Sequence, residues 1–194
     1  MHSYRIWISI LVGFGVFLST VSSEADDSAA PMKAGIIGLD AHALDWTRIV
    51  NDPKATGLLA EMTVVAGYPG GSPDIPQSME LLNRHVGPLR EMGVQIVDSI
   101  DELIEKVDVV LLLSIDGRAH FEQVKPVFAA GKPVFIDKPI ADSLAAAMKI
   151  FRLAEEQNVP CFTSSSLRFS KHTIDIRKNP KVGKVLGCDQ YSPC

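Results

Sequence analysis

Residues 131–140 read Gly-Lys-Pro-Val-Phe-Ile-Asp-Lys-Pro-Ile. Residues 134–136 are an apolar run behind a Gly-Lys-Pro turn, which predicts a short buried strand. Asp137 and Lys138 follow where this strand ends, and Pro139 fixes the backbone behind them. Ligands of an open α/β sheet bind outside the carboxyl ends of its strands. The stretch therefore indicates a functional edge that carries Lys138; a surface ion pair of this lysine is the alternative.

Apolar runs and amphipathic patterns alternate along the rest of the chain. Apolar runs predict strands at residues 32–38, 61–67, 94–97, 107–113, 134–136 and 159–163. Helical spacing predicts helices at residues 42–50, 77–92, from 99 onward, 120–130 and 143–158. Strands that alternate with helices at this spacing form βαβ units with right-handed crossovers. The predicted fold is α/β, a doubly wound, Rossmann-like parallel sheet.

Local signals add detail to the predicted helices. Ser99 and Glu102 form a capping box, and Asp142 is the predicted cap of the helix at residues 143–158. Pro88 predicts a bend or break within residues 77–92. The apolar residues expected to face the core are Leu44, Trp46, Ile49 and Val50 on the first helix, and Leu144, Met148, Phe151 and Leu153 on the last.

The composition is that of one ordinary domain. The chain has 194 residues and a formal net charge of −4, which gives no indication of nucleic-acid binding. Its three cysteines are too few for a disulfide framework and are not spaced as a zinc site. Cys161 is expected in the core, and Cys188 and Cys194 would be able to pair in an oxidising compartment.

The N-terminus has the layout of a secretory signal peptide. His2 and Arg5 precede the apolar run at residues 6–18, and small and polar residues follow at 19–23. This order predicts cleavage after Ser23, with Ala25 as a second candidate site. The apolar run is short for a membrane span, so we expect no stable anchor after cleavage. The predicted organisation is a signal peptide at 1–23, a polar linker at 24–31, and export from the cytoplasm.

Two strand ends together resemble a known enzyme family. A first strand that ends in Gly-Ile-Ile-Gly at Gly38, and a later one that ends in Asp-Lys-Pro at Pro139, resemble the glucose-fructose oxidoreductase / inositol dehydrogenase (Gfo/Idh/MocA) family. By this resemblance residues 32–165 are its dinucleotide-binding Rossmann domain. Residues 165–169, Ser-Ser-Leu-Arg-Phe, resemble the crossing into that family's second α+β domain. Residues 166–194 would then hold the crossover and only the start of the second domain.

The resemblance implies an activity and a set of site residues. Family members bind NAD or NADP and oxidise or reduce sugars, inositols and related polyols. By resemblance Lys138 is the candidate catalytic acid–base residue. The residues that the resemblance places near the cofactor are Gly38, Asp40, His42, Ser114, Asp116, His120, Asp137, Pro139 and Arg168.

Two of these positions have alternative interpretations. A solvated histidine at the start of a helix is the alternative for His120. Asp116 and Arg118 flank Gly117 in a loop at the ligand edge of the sheet. They either pair with each other or contact a ligand.

The chain departs from a dinucleotide fingerprint at two places. Asp40 stands where the second glycine lets the backbone approach the pyrophosphate. One such charge pair at about 4 Å and an effective dielectric near 20 costs on the order of 4 kcal/mol. The alternative role for Asp40 is to cap the helix at 42–50. The second strand ends near Tyr68 without an acid for the ribose hydroxyls, and Asp74 is displaced into a loop, so we expect weak NAD(P) binding.

Two hypotheses about function follow. The first is an exported oxidoreductase domain, which transfers hydride to or from a sugar or polyol with Lys138 as acid–base group and is not active alone. The second is a non-catalytic ligand-binding or assembly protein on a degenerate Rossmann fold, with a second copy of the chain as a possible partner. A fold by itself does not decide between them.

We predict that the mature protein begins near Glu24 or Asp26 and accumulates outside the cytoplasm. The prediction rests on the order of charged, apolar and small residues within positions 1–25. N-terminal sequencing of the expressed protein measures it. An intact Met1 in the soluble cytoplasmic fraction would contradict it.

Overall fold

The computed structural model describes residues 30–184 and 186–187, and within them six strands form one parallel sheet. The strands are β1 (Met32–Ile37), β2 (Met62–Tyr68), β3 (Gln95–Ile96), β4 (Val109–Leu112), β5 (Val134–Ile136) and β6 (Cys161–Thr163). Their spatial order is β3-β2-β1-β4-β5-β6, and every pair is parallel. This arrangement confirms the predicted doubly wound α/β fold.

Helices connect the strands, as the alternating pattern predicts. They are α1 (Ala43–Val50), α2 (Pro76–Glu91), α3 (Ile100–Ile104), α4 (His120–Ala129), α5 (Leu144–Glu156) and α6 (Lys171–Lys178). Short 3-10 helices lie at Gly57–Leu59 and Ser166–Phe169. None of the helices within the described residues combines the length and apolar character needed to cross a membrane.

The strand order places a crevice beside β1. From β1 the chain proceeds outward to β2 and β3, then returns to β4 on the other side of β1 and proceeds to β6. The direction of winding therefore changes between β1 and β4. In open parallel sheets, the carboxyl edge at such a change of direction is where ligands bind.

Alternation along the central strands builds a core on each face of the sheet. Ile37, Val110 and Leu112 are buried in one cluster with side chains of α4 and α5. Ile36 and Leu111 are buried in the other cluster with side chains of α1 and α2. Strand β4 is continuously apolar, and β1 is so from Ala34 onward, as buried parallel strands usually are.

Of three predicted helix features, two need correction and one is confirmed. Ser143 rather than Asp142 caps α5, because its hydroxyl accepts from the N–H of Ala146. Helix α2 runs unbroken through Pro88. The predicted cap of α3 is confirmed: Ser99 Oγ accepts from Glu102 N, while Glu102 reaches back to the N–H of Asp98.

The predicted inner faces of two helices were partly wrong. On α5 the buried residues are Ile150 and Ala154, whereas Leu144 is 77% exposed and Met148 and Phe151 are also exposed. On α1, Ile49 was predicted to face the core but is exposed. Ala43 and Thr47 are buried instead, beside Leu44 and Val50. The prediction for α5 was wrong because apolar residues also occur on its exposed side. Only the direction in which the helix packs selects its buried side.

Some predictions concern residues outside the described part of the chain. These are the signal peptide at 1–23, most of the linker, and the pairing of Cys188 with Cys194. Cys161, in contrast, lies in β6 as a partly buried free thiol, and burial raises its pKa to about 11. This thiol is therefore a packing group rather than a ready nucleophile.

Candidate functional site

Gly38 directly follows β1 and lies in close contact with the backbone that follows β4. Its backbone has φ +85°, a conformation that favours glycine. A Cβ atom here would lie 2.3 Å from the backbone nitrogen of Ser114, which directly follows Leu113 beyond the end of β4. Conformation and close approach therefore both require glycine at the centre of the crevice.

Asp40 is fully buried and links three loops. Its carboxylate accepts a hydrogen bond from the hydroxyl of Ser78 on α2, and another of 3.2 Å from the N–H of Ile115 after β4. It does not cap α1, since the capping position is His42 and no side chain bonds to the helix there. The predicted capping role of Asp40 was therefore wrong, because its side chain turns into the protein instead.

Further polar contacts connect the loop after β2 with the loop after β4. Ser72 Oγ donates to Asp116 Oδ2 over 2.7 Å, and Ser72 N donates to the hydroxyl of Ser78 over 3.0 Å. Arg118 Nε and Nη2 donate to Asp116 over 2.8–3.0 Å, and Arg118 Nη1 lies 2.8 Å from Asp74. Asp116 and Arg118 were predicted either to pair with each other or to contact a ligand, and the structure shows that they pair. We call this set the polar bridge: Asp40, Ser72, Asp74, Ser78, Asp116 and Arg118.

Electrostatics favours the charged form of the bridge. Hydrogen bonds from Arg118 hold the pKa of Asp116 well below its usual range, while burial opposes this shift. The hydrogen bond from Arg118 likewise lowers the pKa of Asp74, and the two carboxylates raise the pKa of the guanidinium. Both carboxylates are therefore ionised at neutral pH. No buried side-chain nitrogen or oxygen in the described part of the chain lacks a partner.

The polar bridge lies where a dinucleotide would cross the sheet. Since β1 lies between β2 and β4, contacts between the loops after β2 and β4 pass over the end of β1 and Gly38. In a dinucleotide-binding Rossmann fold the pyrophosphate lies at this place, at the start of the first helix. Strand β2 ends at Tyr68 without an acid for the ribose, and Asp74 is held by Arg118. The residues present therefore do not fit NAD or NADP in this arrangement.

Lys138 lies on the open side of the edge, at the end of β5. Its side chain is exposed, and within residues 30–184 and 186–187 its amine has no ion-pair partner. Asp137 beside it is only 3% exposed. The Asp137 carboxylate contacts His42 Nδ1 at 2.6 Å and accepts from the backbone N–H of Lys138 at 2.8 Å. The alternative interpretation, a surface ion pair of Lys138, is not what the described residues form.

His42 extends this group toward α1. Its ring stacks on Trp46 with centroids 5.7 Å apart and an interplanar angle of 6°. The contact with Asp137 holds Nδ1, so the other ring nitrogen, Nε2, is the one available to a ligand. His42, Asp137, Lys138 and the exposed Pro139 thus form one group at the carboxyl edge, which we call the lysine edge.

His120 and Ser114 lie inside the protein. His120 is fully buried, so the alternative of a solvated histidine was wrong. Its Nε2 lies 2.8 Å from the carbonyl oxygen of Ser114, and its Nδ1 lies 3.1 Å from that of Ile140. The hydroxyl of Ser114 donates to Gln123. These contacts tie the loops after β4 and β5 together, and neither side chain is exposed to a ligand.

Arg168 lies after β6, the strand at the edge of the sheet. It lies in the 3-10 helix Ser166–Phe169 and lines a cleft together with Trp46, Phe135 and Phe162. Ser72 and Ser78 were not predicted as site residues, because their contacts form only when segments distant in sequence meet. Trp46, predicted to lie on the inner side of the first helix, does pack against the core and in addition lines this cleft.

Comparison with known proteins identifies a family and several relatives that this chain resembles. The model of an oxidoreductase family with an NAD-binding Rossmann fold, GFO_IDH_MocA, matches residues 32–165. An inositol 2-dehydrogenase of Cereibacter sphaeroides is 35% identical over 125 residues, which cover 64% of this chain and 33% of the relative. The uncharacterized oxidoreductase YhhX of Escherichia coli is 26% identical over 110 residues, 54% of this chain and 32% of the relative. The chain thus spans about a third of the length of these curated relatives.

Solved structures show the same fold. The scyllo-inositol dehydrogenase of Lactobacillus casei, solved with bound NAD(H) and scyllo-inositol, superposes with a TM-score of 0.57 at 21% identity. The match covers 79% of this chain and 42% of that one. A dehydrogenase (MviM) of Clostridium difficile gives a TM-score of 0.59 at 21% identity, covering 76% and 44% of the two chains.

We predict that Arg118→Gln lowers the thermal unfolding midpoint at neutral pH, and that this loss shrinks in acid. The depressed pKa values of Asp74 and Asp116 stabilise the fold above their unfolded-state values near 4, and this contribution disappears as pH falls through the folded-state values. The difference between wild type and variant should be constant from pH 8 to about 5 and narrow below about pH 4. Thermal melts followed by circular dichroism measure it.

Arg48→Gln is the matched control for this prediction. Arg48 pairs only with the exposed Asp45 on the surface of α1, and such pairs contribute little to stability. Its melting curve should follow the wild type at every pH. An Arg118→Gln midpoint equal to the wild type at pH 7, or a difference that persists unchanged at pH 2, would show that the polar bridge does not stabilise the fold.

Proposed function

The chain belongs to the Gfo/Idh/MocA oxidoreductase family, and we propose that it binds a sugar or polyol at the lysine edge, with Lys138 as the group that exchanges a proton with a substrate hydroxyl. We propose further that the chain is exported and does not transfer hydride by itself. The observation that carries the proposal is the exposed side chain of Lys138, whose amine forms no ion pair within residues 30–184 and 186–187, beside an Asp137 that is held by its neighbours.

The chemistry of the lysine edge supports a proton-transfer role. Both oxygens of Asp137 are used, one by His42 and one by the backbone of Lys138, so this carboxylate positions its neighbours. The Lys138 amine is left to donate to a hydroxyl oxygen, or to accept its proton when neutral. A second ring nitrogen, on His42, supplies a further polar contact for a polyol.

The relatives support the same substrate class. The Cereibacter sphaeroides relative is named as an inositol 2-dehydrogenase, and the Lactobacillus casei structure contains scyllo-inositol. Both names refer to cyclic polyols, whose adjacent hydroxyls suit a site of one amine and one imidazole. For this chain, which spans about a third of the length of its curated relatives, the substrate is a proposal drawn from the lysine edge.

The polar bridge supports the proposal that the chain alone does not transfer hydride. A pyrophosphate bound at the start of α1 would compete with the contacts that join the loops after β2 and β4, among them that of Ser72 with Asp116. Breaking a charge-assisted network costs more than breaking neutral hydrogen bonds. We therefore assign the chain a low affinity for both dinucleotides.

A second candidate function is dinucleotide-dependent hydride transfer. Two observations favour it: Gly38 keeps the conformation of a phosphate loop, and the start of α1 has no side-chain cap. The N–H groups of an uncapped helix start attract anions. This function would need the polar bridge to open.

The export proposal rests on the sequence alone. Residues 1–23 combine a basic start, an apolar run and a small-residue end. A chain that crosses a membrane unfolded would not carry a dinucleotide from the cytoplasm. Export and weak dinucleotide affinity are therefore consistent with each other.

We predict that Lys138→Met weakens binding of myo-inositol at least about tenfold, a loss of about 1.4 kcal/mol. The substitution keeps the length of the side chain and removes its donors. Saturation-transfer NMR on the full chain measures the affinity, and Lys54→Met, an exposed loop substitution away from the lysine edge, is the control. Equal affinities of wild type and Lys138→Met would reject Lys138 as the substrate contact.

We predict that NAD(H) and NADP(H) bind the unmodified chain with dissociation constants above about 1 mM. Isothermal titration calorimetry with Asp40→Gly and Asp40→Asn separates charge from bulk. Asparagine keeps the size of the side chain and an acceptor for the Ile115 N–H while it removes the charge. A gain for both variants identifies the charge as the obstacle, and a gain for glycine alone identifies the side chain itself. Micromolar binding by the unmodified chain would favour the second candidate function instead.

A further inference from the structure

A cleft of about 590 Å³ lies beside the free edge of the sheet. It lies between α1, the ends of β5 and β6, and the 3-10 helix that follows β6. Its lining consists of Trp46, Phe135, Phe162, Thr163, Ser164, Ser165, Ser166, Arg168 and Phe169. The cleft combines aromatic rings, a run of hydroxyls and one guanidinium, and no atom of Lys138 lines it.

Aromatic rings form one wall of this cleft. The rings of Trp46 and Phe135 have centroids 5.3 Å apart at 44°, and those of Phe135 and Phe162 lie 5.1 Å apart at 64°. Phe162 is 62% exposed and Phe169 is 65% exposed. Large exposed rings beside a concave surface are typical of binding sites rather than of a solvent-facing edge.

Polar groups form the other wall. Residues 163–166 read Thr-Ser-Ser-Ser, and each hydroxyl both donates and accepts hydrogen bonds. Arg168 is the single charged residue of the lining, and within residues 30–184 and 186–187 it forms no ion pair. This wall offers several sites for hydroxyls and one site for a carboxylate.

We propose that the cleft binds a uronic acid, a sugar ring with one carboxylate. The Arg168 guanidinium matches a carboxylate in geometry and charge and binds it through paired N–H groups. The C–H face of a sugar ring is apolar and packs on an aromatic ring, and its hydroxyls exchange hydrogen bonds with the serines. The cleft adjoins the lysine edge, because Trp46 of its lining stacks on His42, but Lys138 does not line it.

The composition of the cleft favours this ligand class over two others. A dinucleotide or sugar phosphate carries at least two negative charges, whereas the lining has a single cation. A purely apolar ligand would leave the Arg168 guanidinium without an ion pair, whereas the hydroxyls of Ser164 and Ser165 already bond to the backbone of Ser165 and Leu167. A polyhydroxylated monocarboxylate satisfies each kind of group in the lining.

Tryptophan fluorescence tests the inference at the site itself. The chain has two tryptophans, Trp7 and Trp46, so the emission of the full chain with Trp7→Phe comes from Trp46 alone, which lines the cleft and also stacks on His42 of the lysine edge. We expect D-glucuronate to change its emission saturably with a dissociation constant of about 1 mM or below. Neutral D-glucose should bind at least about tenfold more weakly, because it lacks the carboxylate.

Variants of the same protein identify the groups responsible. Arg168→Gln should weaken glucuronate binding about tenfold or more, and Arg168→Lys should lose part of it, since lysine keeps the charge without the planar fork. Phe162→Ala, at an exposed position, should also weaken binding. Arg152→Gln, on the exposed side of α5, and Lys138→Met should leave it unchanged.

The outcomes separate the inference from its alternatives. Equal affinity for glucose and glucuronate, an unaffected Arg168→Gln variant, or no fluorescence change up to about 10 mM glucuronate would each overturn it. Loss of glucuronate binding in Lys138→Met would also overturn it, since the ligand would then belong to the lysine edge. Circular dichroism melts equal to the parent protein confirm that each variant is folded.

Discussion

The buried carboxylate of Asp40 is the constraint on which the functional edge depends. A carboxylate removed from water needs hydrogen-bond donors, and here Ser78 and the backbone of Ile115 supply them. These partners lie after β2 and after β4, on opposite sides of β1. Satisfying this one buried carboxylate therefore holds the start of α2 and the loop after β4 together. The contacts of Ser72 with Asp116 then complete the closure.

This constraint divides the carboxyl edge into two regions with different chemistry. Over β1 the side chains satisfy one another, and the charges of Asp74, Asp116 and Arg118 are used internally. At the end of β5 the contacts of Asp137 orient its neighbours but leave the Lys138 amine exposed. Beyond β5, aromatic rings and Arg168 line an open cleft. The region over β1 is thus closed by side-chain contacts, whereas the end of β5 is open.

The charged side chains over β1 pair with one another, so a single residue of the dinucleotide fingerprint does not show what binds at this site. Gly38 keeps the backbone conformation and the close contact with Ser114 that the fold requires. The same glycine would serve a phosphate equally well. Its presence therefore reports on the packing of β1 against β4, and the neighbours of Asp40 decide what can bind above it.

Much of the fold followed from the sequence by itself. The alternation of strands and helices, the buried strand at residues 134–136 and the placement of Lys138 at its end depend on local periodicity, which neighbouring residues along the chain determine. The family resemblance rested on the same local segments, and the comparison bears it out over residues 32–165.

Only the tertiary structure decided which side chains meet. Ser72 and Asp116 are 44 positions apart, Asp40 and Ser78 are 38 apart, and His42 and Asp137 are 95 apart. The inner face of α5 likewise depended on packing, which buries Ile150 and leaves Leu144 exposed. Local propensity carries no information about such long-range contacts, because they arise when the crossovers bring distant loops to one edge. The sequence thus determined the sheet and its edge, and the folded chain decided which part of that edge is closed.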